Sequence, residues 1–216
     1  MSDGHHHDHD HAHDHAHDVR PDDERPWSDY QYLETALREL LVEKGIVTPA
    51  EIHSQIEAMD ARTPARGGRV VAKAWSDPAF KARLMDGDAS EVVRELGIEI
   101  EPVRLIVVEN TPEEHNIVVC TLCSCYPRNL LGIPPDWYKA RAYRSRAVFE
   151  PRAVLREFGL EIADNRTVRV HDPTADMRYM VLPMRPAGTE GMSEEELAVL
   201  VSRDAMIGVA EVKAPG

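Results

Sequence analysis

The 216-residue chain has few cysteines, no long apolar run and fewer basic than acidic residues. Its three cysteines cannot form the paired disulfide framework of a small secreted domain. No apolar run approaches the ~20 residues that a membrane-spanning helix needs, and no apolar signal segment opens the chain. A formal charge of −13 argues against binding to nucleic acid or to an anionic membrane. We therefore expect a cytoplasmic protein whose thiols serve reactivity or metal binding.

The first residues of the chain are of low complexity. Residues 1–18 contain eight histidines and five aspartates. Such a segment buries too little apolar surface to offset the entropy of ordering, so we expect disorder over residues 1–25. Alternating imidazole and carboxylate groups suit loose binding of divalent metal ions, although a solvated tail or a purification tag would have the same composition.

A helical arm is predicted next, over residues 26–66. Apolar residues recur at helical spacing after Asp29, and Gly45 ends that pattern. Thr48 and Glu51 have the spacing of a capping box, which predicts the start of a second helix. The segment "RTPARGG" has the composition of a linker. The arm carries little chemistry of its own, so we expect it to contact another subunit.

A catalytic domain is predicted over residues 67–216. Helical patterns are present in "GRVVAKAW", "SDPAF", "ASEVVREL", "PRAVLREFG" and "SEEELAVLVSRD". Strand patterns are present at 103–109, 116–120, 167–172 and 178–183. Because the helices come mostly first and the strands later, an α+β fold with α-β-β-α layers is favoured over an alternating α/β fold.

All three cysteines lie in "CTLCSC", at the end of a predicted strand. A redox dithiol of Cys120 and Cys123 would usually open a helix, whereas Pro127 and "GIPP" favour a loop. A zinc site or an iron–sulfur cluster needs four ligands, and of the histidines only His115 is near. Inert buried cysteines would not explain the spacing. A further interpretation is one metal ion held by three sulfurs and backbone nitrogen, with an open position for chemistry.

The segment "VCTLCSC" resembles the metal motif of the nitrile hydratase alpha subunit. "RVVAKAW", "VVENTPE", "LGIPPDWYK" and "RYMVLP" resemble the same family in the same order. The resemblance implies a metal bound by the sulfurs of Cys120, Cys123 and Cys125 and by the backbone nitrogens of Ser124 and Cys125. It also implies that Cys123 is oxidised to sulfinic acid and Cys125 to sulfenic acid, while Cys120 stays a thiolate.

The resemblance implies an activity, a cofactor and partners. Thr121, where the iron branch has serine, resembles the cobalt branch, so the implied cofactor is one Co(III) per subunit, with Fe(III) as the alternative. The implied enzyme is a hydro-lyase that converts nitriles to amides, with the sulfenate of Cys125 as nucleophile or base. The implied partners are a beta subunit in an α2β2 or larger assembly and a maturation protein that inserts the metal. Arg178 matches an arginine that supports the site, or is an ordinary charge at a strand edge.

One departure from the family pattern bears on the substrate. Many nitrile hydratases have Trp-Pro after the cysteine motif, where this chain has Arg128 and Asn129. A guanidinium near the metal would favour an anion, and the related thiocyanate hydrolase gamma subunit carries the same cysteine motif. Nitrile hydratase is the favoured prediction, thiocyanate hydrolase the second, and a cobalt-delivery module the third. His171, on a predicted strand, is expected to be a packing residue.

The composition of the tail generates the first testable prediction. Deleting residues 1–18 should leave turnover unchanged and should lower cobalt occupancy only when cobalt is scarce, because loose ligands matter only at low metal concentration. Cobalt per chain, measured after growth in scarce and in plentiful cobalt, checks this. Unchanged occupancy under scarcity would contradict metal collection by the tail.

Overall fold

The computed structural model describes residues 26–100, 102–122 and 125–215. The predicted tail lies outside the described residues, and so do Cys123 and Ser124. Contacts within the chain divide it into one unit that ends at Ile52 and another from His53 to the C-terminus. Among the described residues, no helix is both long enough and apolar enough to cross a membrane.

The first unit contains helix α1 (Asp29–Glu43) and the beginning of α2 (Pro49–Asp60). The predicted capping box at the start of α2 is confirmed: the Thr48 amide donates to Glu51 Oε2 at 2.8 Å, and the Glu51 amide donates to Thr48 Oγ1 at 3.2 Å. The apolar residues of α1 are exposed, with Tyr30 at 83% and Leu33 at 64%. The periodicity therefore predicted this helix, and its apolar face is left uncovered.

After the rest of α2, the second unit continues with three helices: α3 (Ala65–Ser76), α4 (Pro78–Leu84) and α5 (Ser90–Arg94). The expected N-cap of α4 is confirmed, since Asp77 accepts hydrogen bonds from the amides of Ala79 and Phe80. The predicted linker is wrong over its second half, because α3 already begins at Ala65. Gly67 and Gly68 are buried in α3, where a side chain would collide with Met206 and with the backbone of Ala198.

The four predicted strands are all present: β1 (Arg104–Glu109), β2 (Glu114–Val118), β3 (Thr167–His171) and β4 (Met177–Leu182). β1 pairs with β4 and β2 pairs with β3, and both pairs are parallel. β1 and β2 therefore belong to different sheets, and each strand is separated from its partner by a long connection, as parallel pairing requires. The second strand ends two residues earlier than predicted, so that Cys120 follows it instead of ending it.

Four helices follow the cysteines: α6 (Arg128–Leu131), α7 (Asp136–Lys139), α8 (Arg141–Phe149) and α9 (Pro151–Glu157). The expected loop after Pro127 is thus interrupted by the single turns α6 and α7. Sequence analysis missed α8, because this arginine-rich segment has no apolar period. Only Tyr143 and Ala147 are buried on it, one helical turn apart. Tertiary contacts therefore stabilise α8 more than its own sequence does.

The last predicted helix is two helices, α10 (Glu194–Leu200) and α11 (Arg203–Ile207). The predicted capping box of Ser193 and Glu196 begins α10. Ser202, which lay inside the predicted helix, instead caps α11 by accepting a hydrogen bond from the Ala205 amide. Serine competes with helix continuation because its hydroxyl bonds nearby backbone amides. The fold is a mixture of helices and strands, as the α+β prediction requires.

Gly208 ends α11 at a point where two backbones approach closely. It has φ +94°, and a Cβ placed there would overlap the carbonyl oxygen of Asn116 on β2. Gly159, after α9, also has a positive φ, of +79°, but has open space around it. Comparing the two positions therefore separates the cost of the left-handed backbone from the cost of a collision between a side chain and β2.

We predict that Gly208→Ala destabilises the protein more than Gly159→Ala does. Both should lose about 1–2 kcal/mol from the left-handed conformation, and Gly208→Ala should lose a further ~1–3 kcal/mol from overpacking against β2. Denaturant unfolding of the two variants measures the difference. Equal losses would contradict the close approach of α11 to β2.

Candidate metal centre

The cysteine loop leaves the end of β2 at the edge where β3 also ends. Cys120 lies two residues beyond β2 and is fully buried, whereas Cys125 is half-buried. The pairing with β3 extends beyond the strand, because the Val119 amide donates to the carbonyl of His171 at 3.0 Å. Of the four predicted metal-binding positions, these two cysteines are described, while Cys123 and Ser124 lie outside the described residues.

The first half of the loop is held at Thr121. Its amide donates to Asp172 Oδ1 at 3.1 Å, and its hydroxyl donates to Asp172 Oδ2 at 2.5 Å. From the other side, Arg144 Nη1 donates to the Thr121 carbonyl at 3.2 Å. Both the amide and the carbonyl of Thr121 are thus bonded to a charged side chain. Charge-assisted hydrogen bonds of this kind are stronger than neutral ones, so the backbone at Thr121 is firmly held.

Buried tyrosines hold the other parts of the loop. Tyr138 donates from its hydroxyl to the Cys125 carbonyl at 2.9 Å, and Tyr143 donates to the Val118 carbonyl at 2.7 Å. Burial raises the pKa of the Tyr138 phenol, and the neighbouring thiols of Cys120 and Cys125 raise it further. The phenol therefore stays protonated and donates to the Cys125 carbonyl.

A cavity of about 360 Å³ opens beside Cys125. Three arginines line it: Arg62, Arg128 and Arg178. Arg178 donates through Nη1 to the carbonyls of Thr174 and Met177, at 3.0 and 2.7 Å, which braces the turn before β4. The structure thus brings both candidate arginines to the cysteine loop, and it adds Arg62, which sequence analysis did not identify.

The histidine nearest in sequence to the cysteines is engaged elsewhere. His115 is completely buried, and its Nε2 lies 2.8 Å from the Gly208 carbonyl. A carbonyl only accepts, so Nε2 carries the proton, and Nδ1 accepts from the Asn110 amide at 3.4 Å. His171 packs against Tyr179, with ring centres 5.0 Å apart, and bonds Asn116 Oδ1 at 2.7 Å. Both histidines therefore have structural partners, as expected for His171.

The donor set fits a transition metal. Thiolate sulfur is a strong ligand for such metals, and the loop combines sulfurs with backbone groups whose positions are fixed by side chains of other elements. Sequence analysis missed these supporting side chains, which are Asp172, Arg144, Tyr138 and Tyr143. The sequence places these residues next to predicted elements, but it does not show their contacts with the cysteine loop, because each contact joins segments that are far apart in the chain.

A loop that begins at a buried cysteine and carries a second, half-buried one fits the class of proteins that bind a metal through thiolates. Residues 28–210 match the family model described as nitrile hydratase, alpha chain, and the chain belongs to that family. The resemblance seen in the sequence is thereby confirmed.

Three relatives show the range of the family. The chain is 47% identical to the cobalt-containing nitrile hydratase subunit alpha of Pseudonocardia thermophila, over 91% of this chain and 97% of the relative. It is 42% identical to the thiocyanate hydrolase subunit gamma of Thiobacillus thioparus, over 88% and 82%. An Fe-type nitrile hydratase double mutant from Comamonas testosteroni Ni1 has a similar structure, with a TM-score of 0.79, 42% identity and coverage of 87% and 94%.

The burial of His115 generates a prediction about pH. Burial lowers the pKa of His115 from its usual 6.5 because the charged ring would lose its hydration. The unfolded chain then binds a proton near pH 6.5 that the folded chain does not bind. The free energy of unfolding should therefore fall as the pH decreases below 6.5, until the lower folded pKa is reached, by at most ~1.4 kcal/mol per pH unit for this group.

The matched variant is His115→Gln, whose amide can still donate to Gly208. It should be less stable than the wild type near neutral pH, and it should lose less stability between about pH 7 and pH 5.5. Denaturant unfolding over a pH series measures both slopes. The lowered pKa of His171 contributes equally to both proteins. Parallel slopes would contradict a neutral, buried His115.

Proposed function

We propose that this chain is the catalytic alpha-type subunit of a nitrile hydratase, which adds water to a nitrile to form an amide. The observation that carries this proposal is the cysteine loop at the end of β2, with Cys120 buried and the backbone held at Thr121 and Cys125. Family membership supplies the reaction class, a hydro-lyase.

The proposed ligands are the sulfurs of Cys120, Cys123 and Cys125 and the backbone nitrogens of Ser124 and Cys125. Cobalt(III) is favoured over iron(III), because relatives at 45–47% identity are named as cobalt-containing, although a structural neighbour is Fe-type. When bound, the metal supplies Lewis acidity toward a nitrile or a water molecule.

The protein contributes the groups around that position. We propose that Cys123 carries a sulfinic acid and Cys125 a sulfenic acid, and that the Cys125 oxygen acts as nucleophile or accepts the proton of water. Tyr138 fixes the Cys125 carbonyl, which orients that residue. Arg178, which lines the cavity beside Cys125, supports the charge of the oxidised sulfurs.

A beta subunit is proposed to complete the site. Apolar side chains lie exposed beside the loop, with Leu122 and Phe149 each at 87% exposure. Exposed apolar surface of this kind is typical of a contact with another protein. We propose an α2β2 or larger assembly, in which the arm over residues 26–66 contacts the beta subunit through the uncovered face of α1. A maturation protein would load the metal.

The remaining proposals concern organisation. We propose a catalytic domain over residues 67–216 with α-β-β-α layers, preceded by the arm and by a disordered tail over residues 1–25. The proposed location is the cytoplasm, where thiols stay reduced until the metal is bound.

Thiocyanate hydrolysis, to carbonyl sulfide and ammonia, is the second candidate, and the cavity favours it. Arg62, Arg128 and Arg178 surround the space beside Cys125, and none of the other described residues that line it is acidic. Three guanidinium groups among the described lining residues favour a small anion over a neutral nitrile. The gamma subunit of thiocyanate hydrolase is also among the relatives.

One experiment decides between the two substrates. The chain, co-expressed with its genomic neighbour in cobalt-supplemented medium, is assayed with a small aliphatic nitrile and with thiocyanate. We expect amide from the nitrile, no carbonyl sulfide, and little change in amide formation in Arg128→Gln. The matched control is Arg156→Gln, on the exposed face of α9 and outside this cavity.

The opposite result has a clear form. Carbonyl sulfide and ammonia from thiocyanate, lost in Arg128→Gln but retained in Arg156→Gln, would make the chain a thiocyanate hydrolase subunit with Arg128 as its anion-binding residue. Activity on neither substrate, together with unoxidised Cys123 and Cys125, would contradict both enzymes and favour a metal-delivery role.

A further inference from the structure

Asp172 holds Thr121, the residue that directly follows the candidate ligand Cys120. Its two carboxylate oxygens bond the amide and the hydroxyl of Thr121, at 3.1 and 2.5 Å. One carboxylate thus fixes both the backbone and the side chain of the residue directly after Cys120. Such a two-point contact sets the orientation of the loop where it leaves the ladder.

The carboxylate is itself rigidly placed. Asp172 directly follows β3, whose last residue, His171, accepts a hydrogen bond from the Val119 amide at 3.0 Å and bonds Asn116 through its ring at 2.7 Å. Pro173, on the other side, is buried and has a restricted φ. Because both neighbours are anchored, Asp172 can position the loop instead of following it.

Arg144 completes the contact from the helix side. Its Nη1 donates to the Thr121 carbonyl at 3.2 Å, while its Nε donates to the carbonyl of Lys139 at 3.2 Å, which ties the guanidinium to the end of α7. The peptide groups before and after Thr121 are therefore bonded to two different elements. The loop is clamped between the end of β3 and helix α8.

We propose that Asp172, with Arg144, is a positioning residue of the metal centre, which shapes the loop so that its cysteines converge on one ion. This inference rests on the proposed function, because it requires that the cysteines bind metal. The physical reason is entropy: three ligands within six residues must be ordered before they bind together, and a loop already held at Thr121 loses less freedom on binding.

The hydroxyl of Thr121 forms half of the contact with Asp172, so changes at Thr121 also test this contact. Serine would keep the hydrogen bond to Asp172, whereas valine would keep the shape of threonine and lose the bond. The β-branch of threonine restricts χ1 and so helps to keep its hydroxyl on the carboxylate. Asp172 and Thr121 should therefore act as a unit in metal loading.

The test uses the chain co-expressed with its partner over a series of cobalt concentrations in the medium. The variants are Asp172→Ala, Asp172→Asn, Thr121→Val, Thr121→Ser and the double variant Asp172→Ala/Thr121→Val. The matched control is Asp164→Ala, which removes an exposed turn carboxylate elsewhere. The readouts are cobalt per chain, the number of oxygen atoms on the cysteine peptide by mass spectrometry, and the melting temperature of the metal-free complex.

We expect Asp172→Ala to raise the cobalt concentration for half occupancy by about 10-fold or more, since losing a partner that orients a ligand typically costs about 10–100-fold in metal affinity. Thr121→Val should raise this cobalt concentration by a similar factor. The double variant should raise it no further than the larger of the two single changes. Thr121→Ser and Asp164→Ala should change it little. Oxygen atoms on the cysteine peptide should fall in parallel with cobalt.

Unchanged loading and oxidation in Asp172→Ala, with a wild type that loads cobalt, would overturn the role of Asp172 and leave the proposed function standing. A wild type that takes up no metal would overturn both. If the metal-free Asp172→Ala complex melts well below the wild type, Asp172→Asn decides, because it keeps the shape and one acceptor. Wild-type loading in Asp172→Asn would then overturn the proposal, and reduced loading would support it.

Discussion

The parallel pairing of β2 with β3 is the constraint on which the candidate site depends. Parallel strands end at the same edge of a sheet, so the cysteine loop after β2 and Asp172 after β3 emerge side by side. About fifty residues separate the two segments in sequence, and only the register of this ladder brings them together. The bond from the Val119 amide to His171 carries the pairing up to the loop itself.

Behind the ladder, a buried polar network keeps that register. Asn116 receives a bond from His171 and donates to the carbonyl of Glu109 on β1, so it links the two separate sheets. His115, its neighbour, reaches the end of α11 at Gly208. Buried polar groups are costly unless they are satisfied, so these bonds disfavour a shifted pairing in which they would be broken.

The surroundings of the loop differ from the chain as a whole in charge. The chain carries a formal charge of −13, yet the cavity beside Cys125 is lined by three arginines. This local field suits negative charge beside Cys125, in contrast to the acidity of the chain as a whole. The exposed apolar residues of the loop and of the end of α8 suit a contact with another protein.

Local patterns in the sequence predicted the elements with strong signals, and its motifs identified the family to which the chain belongs. The sequence predicted the helix caps at Thr48, Asp77 and Ser193 and the four apolar strands. Capping hydrogen bonds and apolar periodicity both involve residues only a few positions apart, so both are visible in the sequence. The break at Ser202 is a local effect of the serine hydroxyl, which accepts a hydrogen bond from the Ala205 amide. Helix α8 and the helical end of the supposed linker were decided by tertiary contacts, which local patterns do not encode. The same holds for Asp172 and the arginine-lined cavity: residues far apart in sequence become neighbours only when the strands pair, and that pairing is a property of the whole fold.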